Sequence, residues 1–207
     1  MAKNRGRGER REGQGLVEFA ILLPAFMVVL FGMLEFGFAF SHHLTLEYAT
    51  REGARVGAAL ANGTRTAPCL PDPLLDDVDE LIVAAVQRVL TSPGSQVPPA
   101  QVKEITIYKA DAVGGSTGLE NVWVPGSGGS VDGMPLAFRR DGGRQGWNVC
   151  TREKFLTPSG EPDSLGVLLK YDYDPITPLG SLLKISGVGP LRITDRTVMA
   201  LEPFQDG

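Results

Sequence analysis

The sequence predicts an α+β chain. Its parts are a long N-terminal helix, transmembrane at first and extramembrane beyond, then a second amphipathic helix, then a C-terminal antiparallel sheet. Three observations predict this. Residues 19–40 form an apolar run whose only charge is Glu35. Residues 76–90, DDVDELIVAAVQRVL, place apolar side chains at helical spacing. After the turn SPGS at 92–95, the apolar period changes from 3.6 to 2.

The apolar run has 22 residues. As a helix it reaches about 33 Å, the thickness of a bilayer's hydrocarbon core. Residues 1–13 carry five bases (Lys3, Arg5, Arg7, Arg10, Arg11) against Glu9 and Glu12, whereas residues 14–207 carry 15 bases and 22 acids. A basic end beside an apolar span holds that end in the cytoplasm. This reading is preferred to a nucleic-acid arm, so no nucleic-acid partner is expected. A cleaved secretory signal has a shorter apolar core followed by small residues such as A-x-A. Here SHHLTLEYATREG follows Phe40, so the span is expected to be retained. That makes a single-pass protein with its N-terminus in and its head outside.

The helical pattern continues past the span. Residues 41–61 contain no proline, and Ala49, Gly53, Gly57 and Ala61 recur four apart on one face. Such a stripe admits a closely approaching neighbour, with Leu44, Tyr48 and Val56 as larger contacts beside it. One helix is therefore expected from about Gly15 to about Asn62, ended by Asn62-Gly63. Pro24 should kink or locally break it. The organisation that follows is a leader (1–13), a transmembrane helix (14–40), its extramembrane continuation (41–62) and a head (63–207).

In the head, acids open the second helix and Arg88 closes it, as the helix dipole favours. Val78, Leu81, Ile82, Ala85, Val86 and Val89 make its apolar face. Strands are expected at EITIYK (104–109), NVWV (121–124), WNVCT (147–151), VLLKYDYD (167–174) and LRITDRTVMALEP (191–203), the last with a shift of phase near Asp195. GGSTG and GSGGSVDG lack the G-K-[ST] ending of a phosphate loop and are read as solvated loops. Cys69 and Cys150 both lie in the exported part. An oxidising compartment favours one disulfide between them over two separate buried thiols.

Little in the chain points to catalysis. The two histidines, His42 and His43, are adjacent, so their side chains diverge on a helix and do not share a metal. Their place after the span suggests the headgroup level. H-E-x-x-H, C-x-x-C and G-x-S-x-G are all missing. The acids allow many carboxylate pairs, and no spacing singles one out. The reading is a non-enzyme without metal or cofactor.

Glu18 stands at the start of the apolar run, five residues after Gly13. A basic leader, Gly13, then Gln14 to Glu18, then Phe19 and an apolar helix resembles the class III signal of type IV pilins and pseudopilins. Gly15 is a competing cut site, but it would put Glu18 third rather than fifth. QGLVEFAILLPAFMVVLFGMLEFGFAF with ATREGARVGAA is more narrowly similar to the TadE-like family of the tight-adherence (Flp-type) pilus system. The matching features are Gly13, Glu18, Phe19, Pro24, Glu35-Phe36-Gly37, Arg51-Glu52 and Arg55. VLLKYDYDPITPLGSLL and RITDRTVMALEP resemble that family's closing strands. Residues 63–164 are not distinctive.

The resemblance implies a pilin-like fold and a minor pilin or pseudopilin that a prepilin peptidase cuts after Gly13. It would then assemble, initiate or cap a pilus. Implied partners are other major and minor pilin subunits, the peptidase, the inner-membrane assembly platform and the membrane itself. Cleavage would free an α-amine on Gln14, about one turn from Glu18. The assembly helix would use Glu18, Pro24, Glu35, Gly53 and Gly57. Two alternatives stay open for the carboxylates: Glu18 reaching interfacial water, and Glu35 snorkelling outward or pairing with a basic component. The rival functions are a single-pass anchored binding module with its leader retained, and an anchored hydrolase. A head pocket with convergent polar side chains would favour the hydrolase.

Overall fold

The computed structural model describes residues 9–61, 78–142, 146–154, 161–178, 180 and 190–201. The elements are α1 (Glu9–Leu60), α2 (Val78–Leu90), β1 (Val102–Ala110), β2 (Ser116–Pro125), β3 (Ser130–Val131), β4 (Met134–Pro135), β5 (Phe138–Asp141), β6 (Ser164–Tyr173) and β7 (Leu191–Ala200). This is the expected α+β order of long helix, second helix and antiparallel sheet. The chain divides into two compact units, residues 1–40 with 174–190, and residues 41–173 with 191–207.

The second unit is built on a five-stranded sheet in the order β5-β2-β1-β6-β7, antiparallel at every pairing. Strand β6 shows why it forms: Leu165, Val167, Leu169, Tyr171 and Tyr173 alternate onto one face, and all are buried. The outer half of α1 meets this face through small residues. Leu46, Ala49, Gly53, Ala54, Gly57, Ala58 and Ala61 are buried. Glu47 pairs with Arg51 and Glu52 with Arg55 along its wetter side. Helix α2 carries Asp79 and Glu80 in its first turn and Arg88 in its last. It is buried around most of its circumference, with Val83, Ala84 and Gln87 inside as well as the predicted Ile82 and Val86.

Several expectations need correction. Helix α1 begins before Gly15, because Glu9, Arg10, Arg11 and Glu12 are good helix formers. It runs unbroken through Pro24, where a kink or break was expected, and reaches Leu60, within two residues of the expected end. The larger contacts expected at Leu44 and Tyr48 are exposed instead, and Leu46 is the buried one. WNVCT is not a strand. The Asn148 side chain accepts the Cys150 N–H at 2.9 Å and caps a single 3-10 turn, Val149–Thr151. Strand β7 pairs with β6 without any shift near Asp195. As the last strand in the sheet order it buries little, so its apolar phase carries little information. GSGGSVDG is no solvated loop. It forms the β3–β4 hairpin, with Asp132 and Gly133 both at positive φ in the turn. Val131 there is fully buried, and a Cβ on Gly128 would stand 2.0 Å from the Phe138 carbonyl oxygen. Finally, His42 is buried rather than at a headgroup level.

Cys150 is not a free thiol. Cys69, its partner as expected from the sequence, lies outside the described residues, as does Asn62.

Candidate functional site: the N-terminal helix

The first unit exposes what a soluble domain hides. Leu16, Phe19, Ile21, Met33 and Phe36 are each more than three-fifths exposed on α1. The segment Gly13–Leu60 is long and apolar enough to cross a membrane, with a mean hydropathy of 2.4 over its best window. A continuous apolar surface of this extent needs lipid or other helices around it.

Gly13 and Gly15 are bare: a Cβ on either would meet nothing within 4 Å. The backbone at the expected cut is therefore open to approach. One turn on, Gln14 Nε2 donates to Glu18 Oε1 at 2.9 Å, so the first residue after that cut already faces the carboxylate. Phe19 beside it projects outward. Pro24 supplies no N–H, so the Ala20 carbonyl lacks its usual helical donor.

Glu35, read from sequence as snorkelling or pairing with a basic partner, is engaged by its own chain. Its Oε1 accepts from the Ile176 N–H at 3.0 Å and its Oε2 from the Thr177 N–H at 2.9 Å. Gly53 and Gly57, read as admitting a close neighbour, do so within the second unit. A Cβ on Gly53 would meet Val86 Cγ2 at 2.6 Å, and one on Gly57 would meet Ile82 and Leu165 at 2.9 Å.

The head also holds a buried polar cluster that the sequence reading missed. Arg152 donates to Asp79 at 2.6 Å with both side chains wholly buried, and its guanidinium lies 4.5 Å over the Trp147 ring. Asn121 donates to Asp79 and to the Trp147 carbonyl, and accepts from Arg140 and the Trp147 N–H. A cavity of about 300 Å³ opens beside Asp79, Asn121, Arg140 and Asn148. Its side chains converge as a hydrolase pocket's would. Yet no Ser, Thr, Cys or His lines it among the described residues, and its amide and carboxylate groups hold one another. The only sequence signal was Asp79 itself, which helix-dipole reasoning absorbs.

His42 makes a second buried contact. Its Nδ1 lies 3.0 Å from the Tyr171 hydroxyl, which also bonds Gln101 Oε1. If the hydroxyl donates to the amide oxygen, Nδ1 carries the imidazole proton and donates to the hydroxyl. Burial pushes the imidazole pKa down. Nearby, Thr50 bonds Asp195 and Thr197, tying α1 to β7.

Residues 13–55 match the model of the family described as TadE-like protein. The match takes in Gly13, Gln14, Glu18, Phe19, Pro24, Glu35 and Gly53, and leaves the sheet and α2 outside it. No curated protein and no solved structure matches the chain.

Proposed function

We propose that this chain is a TadE-like minor pilin or pseudopilin of a tight-adherence pilus. A prepilin peptidase cuts it after Gly13, and it enters assembly through its N-terminal helix. The observation that carries this reading is the pairing of a bare Gly13 with Glu18 one turn beyond Gln14, at the start of an exposed apolar helix. The TadE-like match over the same residues supports it.

Cleavage creates an α-amine at Gln14. An amine and a carboxylate about 4 Å apart attract by about 4 kcal/mol at an effective dielectric of 20, before desolvation is subtracted. Among packed apolar helices the amine of one subunit can meet Glu18 of the next. An unpaired charge there is penalised, so the pair sets axial register. Assembly contacts fall to residues 14–40, because Gly53 and Gly57 already hold this chain's own side chains. The partners are other major and minor pilins, the peptidase and the inner-membrane assembly platform. The same reading places the head in an oxidising compartment, where Cys69 and Cys150 would close a loop of about 80 residues, an entropic gain of about 4 kcal/mol.

The test separates processing from assembly. Gly13→Val should leave the leader attached, because a branched side chain obstructs the scissile backbone. Glu18→Gln should still be cut, yet fail to co-purify with pili, because the amine loses its ionic partner. Wild-type incorporation of Glu18→Gln at native expression would overturn the register mechanism.

A further inference from the structure

Residues 174–178 read Asp-Pro-Ile-Thr-Pro. Proline has no N–H, so Ile176 and Thr177 are the only backbone donors from Pro175 to Pro178. Both donate to one carboxylate, Glu35, at 3.0 and 2.9 Å. The Thr177 carbonyl accepts from the Gly180 N–H at 3.0 Å. Gly180 must lack a side chain, since a Cβ there would fall 1.9 Å from Pro175 Cβ. Both backbone donors of the turn are thus satisfied, although the buried Thr177 hydroxyl has no partner among the described residues, while Ile176 is 60% exposed and Pro178 is exposed beside it.

Glu35 lies five residues before Phe40, about 7.5 Å along the helix. If residues 19–40 span the bilayer, the turn sits level with the outer part of the hydrocarbon layer. Backbone donors facing water need no carboxylate, whereas donors that leave water must be satisfied inside the protein. A carboxylate in an apolar run is equally unfavourable unless it is matched. Glu35 and the two N–H groups answer both requirements together.

We propose that the Pro175–Pro178 turn is seated in the membrane, with Ile176 among the upper acyl chains of the outer leaflet. Glu35 is the acceptor that lets the turn leave water. The occupant of this surface is lipid, because the turn is fastened to the stretch of α1 whose Phe36 and Phe40 are 74% and 52% exposed. The inference rests on the spanning reading of α1 and extends it to a second, distant segment.

The experiment uses the full chain in vesicles of phosphatidylcholine brominated either near the headgroup or near the bilayer centre. Tryptophan is introduced as Ile176→Trp, and at mid-span as Val28→Trp. The native Trp123 and Trp147 give the baseline. The proposal expects Ile176→Trp to be quenched above baseline, more by shallow bromines than by deep ones, with the reverse order for Val28→Trp. Adding Glu35→Ala to Ile176→Trp should abolish the extra quenching while baseline emission persists. Glu35→Gln, which keeps an acceptor oxygen, should reduce it only partly. Quenching at 28 without quenching at 176 would overturn the proposal and leave the span intact. Quenching at neither position would refute the span and the turn's seat together. Quenching at 176 that ignores Glu35→Ala would remove Glu35 from the account and so overturn it.

Discussion

Leu165 Cδ2 lies 2.9 Å from the place a Cβ on Gly57 would occupy. The outer half of α1 is thus seated on β6 by the absence of a side chain. Valine at Gly57 or Gly53 should overpack this contact and destabilise the head by about 1–3 kcal/mol. Alanine should do less, since it recovers about 0.5–1 kcal/mol of helix preference. Thermal melting of the full chain measures this. An unchanged midpoint for both valine variants would mean that the outer half of α1 does not need this fit.

Asp79→Asn should be far worse than a surface change. It leaves the buried Arg152 without its carboxylate, and breaking such a pair costs about 3–5 kcal/mol. Adding Arg152→Met removes the stranded charge and should restore part of the loss. Urea unfolding of the two variants checks the order. If Asp79→Asn were as stable as the parent, the buried pair would contribute nothing.

The His42 imidazole is pushed below its ordinary value by burial. Below a pH of about 6.5, the ordinary value for a solvated histidine, the unfolded chain binds this proton more readily than the folded one. Stability from this group is therefore complete above that pH. It falls as pH drops towards the lowered native value, and is constant beneath it. The difference in unfolding free energy between parent and His42→Gln should follow that course between pH 8 and 5. A difference independent of pH would show that His42 is not held neutral by the fold.

Local patterns make the long helix, α2, β1 and β6 legible in the amino-acid sequence. Each is announced by its own residues, as in the alternation of Leu165, Val167, Leu169, Tyr171 and Tyr173. Strand β5 escaped because FRRD buries only Phe138. The hairpin at Ser130–Pro135 escaped because Val131 is the one buried side chain in a run of glycines. WNVCT misled because the Asn148 side chain competes for the backbone, which an apolar count does not register. The same limit applies to the sites. Gly13, Gln14 and Glu18 are neighbours in sequence and could be read together. The stripe at Gly53 and Gly57 announced a close approach, but its partners, Val86 and Leu165, come from elsewhere in the chain. The partners of Glu35 lie 141 and 142 residues downstream, and Arg152 lies 73 residues from Asp79. No periodicity connects such pairs.

The central claim is processing at Gly13 followed by assembly through the exposed helix, and its most direct test is the N-terminus of the protein recovered from its native host. Intact mass spectrometry of the membrane and sheared-filament fractions reads it. The account predicts a chain beginning at Gln14, without residues 1–13, in both fractions. Recovery of only the full-length chain, in cells with a functional prepilin peptidase, would contradict it.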